Sequence, residues 1–96
     1  QTEGTCEVKI RWLERAALDL EEAVEYILAE DPLAAGMELD KVLQAVCRVA
    51  ERPGIGRAGR VPGTREWVVP GTPFLVVYRV KDDFLEVLRL LHGARQ

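Results

Sequence analysis

Histidine and sulfur are scarce in this 96-residue chain, which has one His, one Met and two Cys, Cys6 and Cys47. Metal centres of imidazole and thiolate need several such ligands at short, regular spacing, and no cluster of that kind can be assembled here. No metal or cofactor is expected. Two cysteines do not make a disulfide framework, so a reducing, intracellular location is the expectation. Long apolar runs are missing too. The longest is Phe74 to Tyr78, far short of the stretch that crosses a bilayer. The opening "QTEGTCEVKI" has no charged segment leading into an apolar one, so no signal peptide is expected. Repeats, linkers and low-complexity segments are also lacking.

What is present fits one globular domain over residues 1–96. Hydrophobic residues make up 48% and charged residues 30%, which argues against disorder. The net charge of −3 hides an asymmetry. Residues 1–51 carry −7 and residues 52–96 carry +4. The two halves should therefore meet different partners, and an anionic surface suits only the second.

The hydrophobic period changes along the chain. "EVKIRWL", from Glu7 to Leu13, alternates Val8, Ile10 and Trp12 with Lys9 and Arg11, which predicts a half-buried strand with Trp12 in the core. From Glu14 to Glu30 the apolar residues recur at helical spacing, and the acids Asp19, Glu21, Glu22 and Glu25 are expected on a solvated face. Asp31-Pro32 reads as a helix start, with Asp as N-cap and Pro in the first turn. A second helix is predicted to about Arg52, with its stripe at Leu39, Val42, Leu43, Val46, Val49 and Ala50. Gly36 within it lowers helicity and is expected to allow close approach of the first helix. So short a link makes the two helices an antiparallel hairpin.

Pro53-Gly54 stops the second helix, and the Gly/Arg loop "GRAGRVPGTREW" follows. Strands are predicted over Glu66–Val69, Phe74–Val80 and Phe84–Leu91, with turns at 70–73 and 81–83. The last strand has apolar residues on both faces and is expected in the middle of the sheet. An even-numbered turn would place Arg79 directly opposite Glu86 as an ion pair. The order β-α-α-β-β-β predicts an α+β fold: an N-terminal strand, a helical hairpin, then a three-stranded antiparallel meander with the helices on one face. Arg57, Arg60 and Arg65 on the loop, with exposed glycine N–H groups, are candidates for holding an anion. Arg89 and Trp67 join them as contact candidates, with base stacking or core packing both open for Trp67. His92 is either a strand-end hydrogen bonder or, with a suitable partner, a catalytic base.

The series "WLERAALDLEEAVEYI", "DPLAA", "RPGIGR", "GRVPGTREWVV" and "FLVVYRV…LEVLRLLHGAR" runs in order from Val8 to Arg95. In this it resembles the RelE/ParE superfamily of bacterial toxins from type II toxin–antitoxin modules. The resemblance implies a cytoplasmic toxin held inactive by a cognate antitoxin, whose C-terminal segment wraps over it. It also implies one of two targets. RelE-like members enter the ribosomal A site and cut mRNA, and ParE-like members poison DNA gyrase.

A metal-independent ribonuclease must activate the ribose 2′-OH, stabilise transition-state charge and protonate the leaving oxygen. RelE-like nucleases do this with lysines, arginines and a tyrosine. Carried over, their lysine pair falls at Glu66 and Val68, one arginine at Leu75, and the tyrosine beyond Gln96. Their last arginine matches Arg95. The resemblance thus favours a ParE-like gyrase inhibitor. The alternative is a ribosome-dependent mRNA endoribonuclease with a diverged site of Arg95, His92 and Arg65, aided by Arg57 and Arg60. A third reading is a superfamily member that retains only antitoxin binding.

Overall fold

The computed structural model describes residues 9–93. Strand β1 (Ile10–Trp12) leads into helices α1 (Glu14–Glu30) and α2 (Pro32–Glu51), then a 3₁₀ turn at Pro53–Ile55. Strands β2 (Arg57–Ala58), β3 (Arg65–Val68), β4 (Phe74–Lys81) and β5 (Phe84–His92) complete it. The five strands form one sheet in the order β1-β5-β4-β3-β2. β1 runs parallel to β5 and the other pairs are antiparallel. The predicted α+β architecture is the observed one, with β5 inside the sheet.

Asp31 joins the helices by serving both. Its N–H donates to the Ile27 carbonyl at 2.7 Å, closing α1. Its carboxylate accepts the N–H groups of Leu33 and Ala34 at 3.2 and 3.4 Å, opening α2. Such a cap contributes about 1 kcal/mol. Pro32 takes the first helical position, where its missing N–H costs nothing.

The core lies between α2 and the sheet. Val42, Val46, Val49, Val76 and Val87 are all at 2% exposure or less. Each contributes roughly 1.5–3 kcal/mol by leaving water. Tyr78, Leu85 and Leu90 from the sheet and Ala16 from α1 complete the same cluster. Trp12 packs against it as expected, and so does Trp67.

Four expectations need correction. The loop contains a strand, β2, which the sequence did not announce. Gly36 is exposed, and a Cβ built there would meet nothing within 4 Å, so it permits no close helix approach. Asp19 is not on a solvated face: it is 7% exposed. The first strand is shorter than Glu7–Leu13 among the described residues, and Glu7 and Val8 lie outside them.

The β4–β5 turn is Asp82-Asp83, both at positive φ, 53° and 67°. A two-residue turn with both centres left-handed matches the twist of the paired strands. Being even-numbered, it sets Arg79 opposite Glu86 as anticipated. Further along, the register shifts between Val77 and Tyr78: Tyr78 faces Val87 but Val77 faces Arg89. Leu88 is therefore the extra residue of a β-bulge.

Candidate functional site

Tyr78 organises the Gly/Arg loop from within the core. Its hydroxyl donates to the Pro53 carbonyl at 2.6 Å and accepts the Gly56 N–H at 3.0 Å. Burial pushes the phenol pKa up, partly offset by the Gly56 N–H and the Arg65 charge. A Cβ on Gly56 would collide with that hydroxyl, so only glycine fits. The loop then folds on itself: Gly59 N–H donates to the Thr64 carbonyl at 2.8 Å, and Gly63 turns at φ 87°. β2 pairs Arg57 with Glu66 and Ala58 with Arg65.

That geometry decides what the loop arginines can do. Glu66 is 6% exposed. It accepts Arg57 Nε and Nη2 at 3.3 and 3.2 Å, and the backbone N–H of Arg60 at 3.3 Å. Arg65 donates to the Gly56 carbonyl at 2.7 Å. The guanidinium of Arg60 alone makes no hydrogen bond or ion pair among the described residues. Two of the three candidate anion-binding arginines thus serve the loop itself, and the Arg60 N–H faces a carboxylate instead of a phosphate.

The remaining candidates lie elsewhere. Trp67 borders a cleft of about 610 Å³ between α2 and Pro70, beside Lys41, Gln44, Cys47 and Arg48. Its Nε1 is buried without a hydrogen-bond partner. The indole is partly buried and packs on the core. Arg89 binds Asp19, Nε to Oδ2 at 2.7 Å and Nη2 to Oδ1 at 3.3 Å. His92 stands edge-on to Phe74, with centroids 5.1 Å apart, and to Tyr26 at 6.5 Å. Its Nδ1 is buried without a partner, contrary to the strand-end hydrogen bond expected. Arg89 and His92 share a second cleft of about 260 Å³ with Arg15, Asp19, Tyr26 and Phe74.

His92 and Arg65 are not brought together. On β4 their partners are Phe74 and Tyr78. Four residues of strand separate these rows by about 13 Å. Arg95 lies outside the described residues.

Three buried carboxylates, Asp19, Glu66 and Glu86, organise the arginines. Glu86 accepts Arg79 Nε at 2.7 Å and Arg11 Nη1 at 2.9 Å. The Arg79 hydrogen bond leads in holding the Glu86 carboxyl below its ordinary value, with burial opposing and Arg11 assisting. Sequence reasoning found Arg79–Glu86 but missed Arg11. The signal was the alternation of Ile10 and Trp12, which turns Arg11 to the opposite face, in line with Glu86 once the parallel register is known.

The helical hairpin laid on a mixed sheet is the fold of the RelE/ParE toxins. A chain from the chromosomal ParDE toxin–antitoxin system of P. aeruginosa superposes with a TM-score of 0.81 at 24% identity, covering 88% of this chain and 95% of that one. A chain from the RelBE2 toxin–antitoxin complex of Mycobacterium tuberculosis gives 0.58 at 21% identity, over 88% and 96%. Among sequences, Y4kP of Sinorhizobium fredii is 39% identical over 92% of this chain and 91% of its own length. Toxin RelE2 of Caulobacter vibrioides is 32% identical over 91% and 97%. The profile of the ParE toxin of the type II toxin–antitoxin system parDE matches residues 10–96, and the chain belongs to that family.

Proposed function

We propose that this type II toxin acts in the cytoplasm by inhibiting DNA gyrase, as ParE-like members do, and that a cognate antitoxin neutralises it. The observation that carries the reading is Glu66. Where the mRNA-cutting branch has a lysine, this chain has a carboxylate 6% exposed beneath Arg57. The second lysine position holds Val68, an exposed aliphatic side chain. Val68 has no group to take up a 2′-OH proton, and Glu66, buried and paired with Arg57, has the wrong charge to stabilise a phosphorane-like transition state. His92, packed against two rings and remote from Arg65, does not replace them.

For the antitoxin, the support is the family and the exposed apolar residues Leu28, Leu33 and Met37 on the helical hairpin. An amphipathic partner segment buries such residues at little cost to itself.

The test is induction of the toxin alone, followed by two readouts from the same culture. The expected result is growth arrest with a DNA-damage response and intact mRNA. Cuts positioned by codon at the ribosomal A site would establish the nuclease reading instead. Unimpaired growth would leave antitoxin binding as the retained activity.

A further inference from the structure

On the sheet face turned away from the helices, Arg11, Glu86 and Arg79 stand in one row across β1, β5 and β4. The flanking residues Ile10, Trp12, Tyr78, Leu85 and Val87 all pack toward the core, which fixes this row on the opposite side. Glu86 is 3% exposed, whereas the side chains of Arg11 and Arg79 keep 44% and 38% of their surface. One buried carboxylate thus holds two accessible guanidinia.

The row shares its count of two cations on one acid with Asp19, which holds Arg89 and Arg15, and differs from the loop pair. Arg57 on Glu66 is one charge against one, with both donors on one oxygen. At Glu86, two cations meet one anion, and each gives a single N–H. A guanidinium carries five, so most donors of both arginines are unengaged among the described residues. Arg11 is also stacked on the Phe84 ring, 3.9 Å from Cζ to the centroid, and the Lys9 ammonium approaches the same ring at 5.5 Å. Lys81 is the cross-strand partner of Phe84. Asp82 and Asp83 at the hairpin tip offset part of this charge, so the excess is local to the row.

We infer that Arg11 and Arg79, fixed by Glu86, form a binding site for the phosphodiester backbone of a nucleic acid. Two planar forks locked in register suit non-bridging phosphate oxygens, and immobilisation in the free protein lowers the entropy lost on binding. The site uses none of the loop arginines, although Arg57 and Glu66 stand in register with Val77, two residues from Arg79 on the same sheet face. It also goes beyond the gyrase reading: gyrase inhibition through protein contacts alone would need no such site, and nucleic-acid binding without gyrase inhibition would leave it standing.

The test is fluorescence anisotropy of the full chain with a labelled 20-mer, as single-stranded DNA, duplex DNA and RNA. Arg11→Lys and Arg79→Lys keep the charge and should each weaken binding about tenfold. With two phosphates engaged, log affinity against log salt should have a slope of about −1.8 on duplex and about −1.4 on single strands. Glu86→Gln is the decisive variant, checked by circular dichroism for an intact fold. It removes a negative charge but frees both guanidinia, so the site predicts weaker binding. Tighter binding by Glu86→Gln, or unchanged binding by both lysine variants, would overturn it. So would an oligoglutamate that displaces the DNA at equal charge concentration, which would assign the row to an acidic peptide. The arm that binds most tightly identifies DNA or RNA as the source.

Discussion

The Asp19 carboxylate accepts the Leu90 N–H at 3.0 Å, across 71 positions of sequence. β1 ends at Trp12, and the last bond on that side of β5 is Leu13 N–H to the Val87 carbonyl at 3.1 Å. Beyond it β5 has no strand neighbour there among the described residues. A side chain from α1 stands in for the missing strand, and Arg89 Nε binds the same carboxylate oxygen at 2.7 Å. Arg15, one turn earlier on α1, adds a second cation at 3.3 Å. One acid thereby fixes α1 to the sheet beside the bulge at Leu88.

Asp19→Ala should destabilise the fold by about 1.5–3 kcal/mol, because the buried Leu90 N–H loses its acceptor and Arg89 its counter-ion. Urea unfolding followed by circular dichroism gives the value. A loss within error of zero would mean that water replaces the carboxylate without cost.

Acid should weaken the protein through the same group. Burial alone raises the Asp19 pKa, but the Arg89 and Leu90 hydrogen bonds and the Arg89 and Arg15 charges outweigh it and leave it below 3.8. Glu86 is held below 4.5. A depressed folded pKa means that the unfolded chain takes up protons first, so stability rises with pH across that window. The contribution is complete above pH 4.5 and is lost as pH falls through the folded values. Unfolding midpoints on a descending pH series should show this decline, and Asp19→Asn should make it shallower.

Gly36→Ala should stabilise α2 by about 1 kcal/mol. The position is helical and exposed, and an added Cβ meets nothing. A rise in melting temperature checks it. A fall would contradict the open space around this position.

Tyr78→Phe should cost about 1–3 kcal/mol, since the Gly56 N–H and Pro53 carbonyl would lose their buried partner. The loss should be focused on the loop. Hydrogen exchange at the Gly56 amide should accelerate more than exchange at Val76 or Val87, and uniform acceleration would contradict a local anchoring role.

Legibility in the sequence followed the range of the determinants. Asp31-Pro32 announces a helix start from two adjacent residues, and 81–83 announces a hairpin, although it is the shorter turn Asp82-Asp83, with Lys81 in β4, that aligns Arg79 with Glu86. These depend on neighbours alone. β2 has no such signal: Arg57 and Ala58 are two exposed residues among glycines, and they form a strand only because β3 offers an edge. Asp19 reads as one acid among several on α1, since its partners lie some 70 residues away. The loop arginines are visible as residues but their engagement is not, because Glu66 becomes the acceptor of Arg57 and of the Arg60 N–H only once β2 and β3 pair. The cation row at Glu86 was half visible for the same reason: Arg79 is local to Glu86, whereas Arg11 arrives through a parallel register across the chain.

The central claim, a toxin that inhibits gyrase instead of cutting mRNA, is tested most directly by supercoiling of relaxed plasmid by purified gyrase under rising toxin concentration. The account predicts dose-dependent loss of supercoiling that the His92→Ala/Arg95→Ala double variant retains. Full supercoiling at every toxin concentration would contradict it.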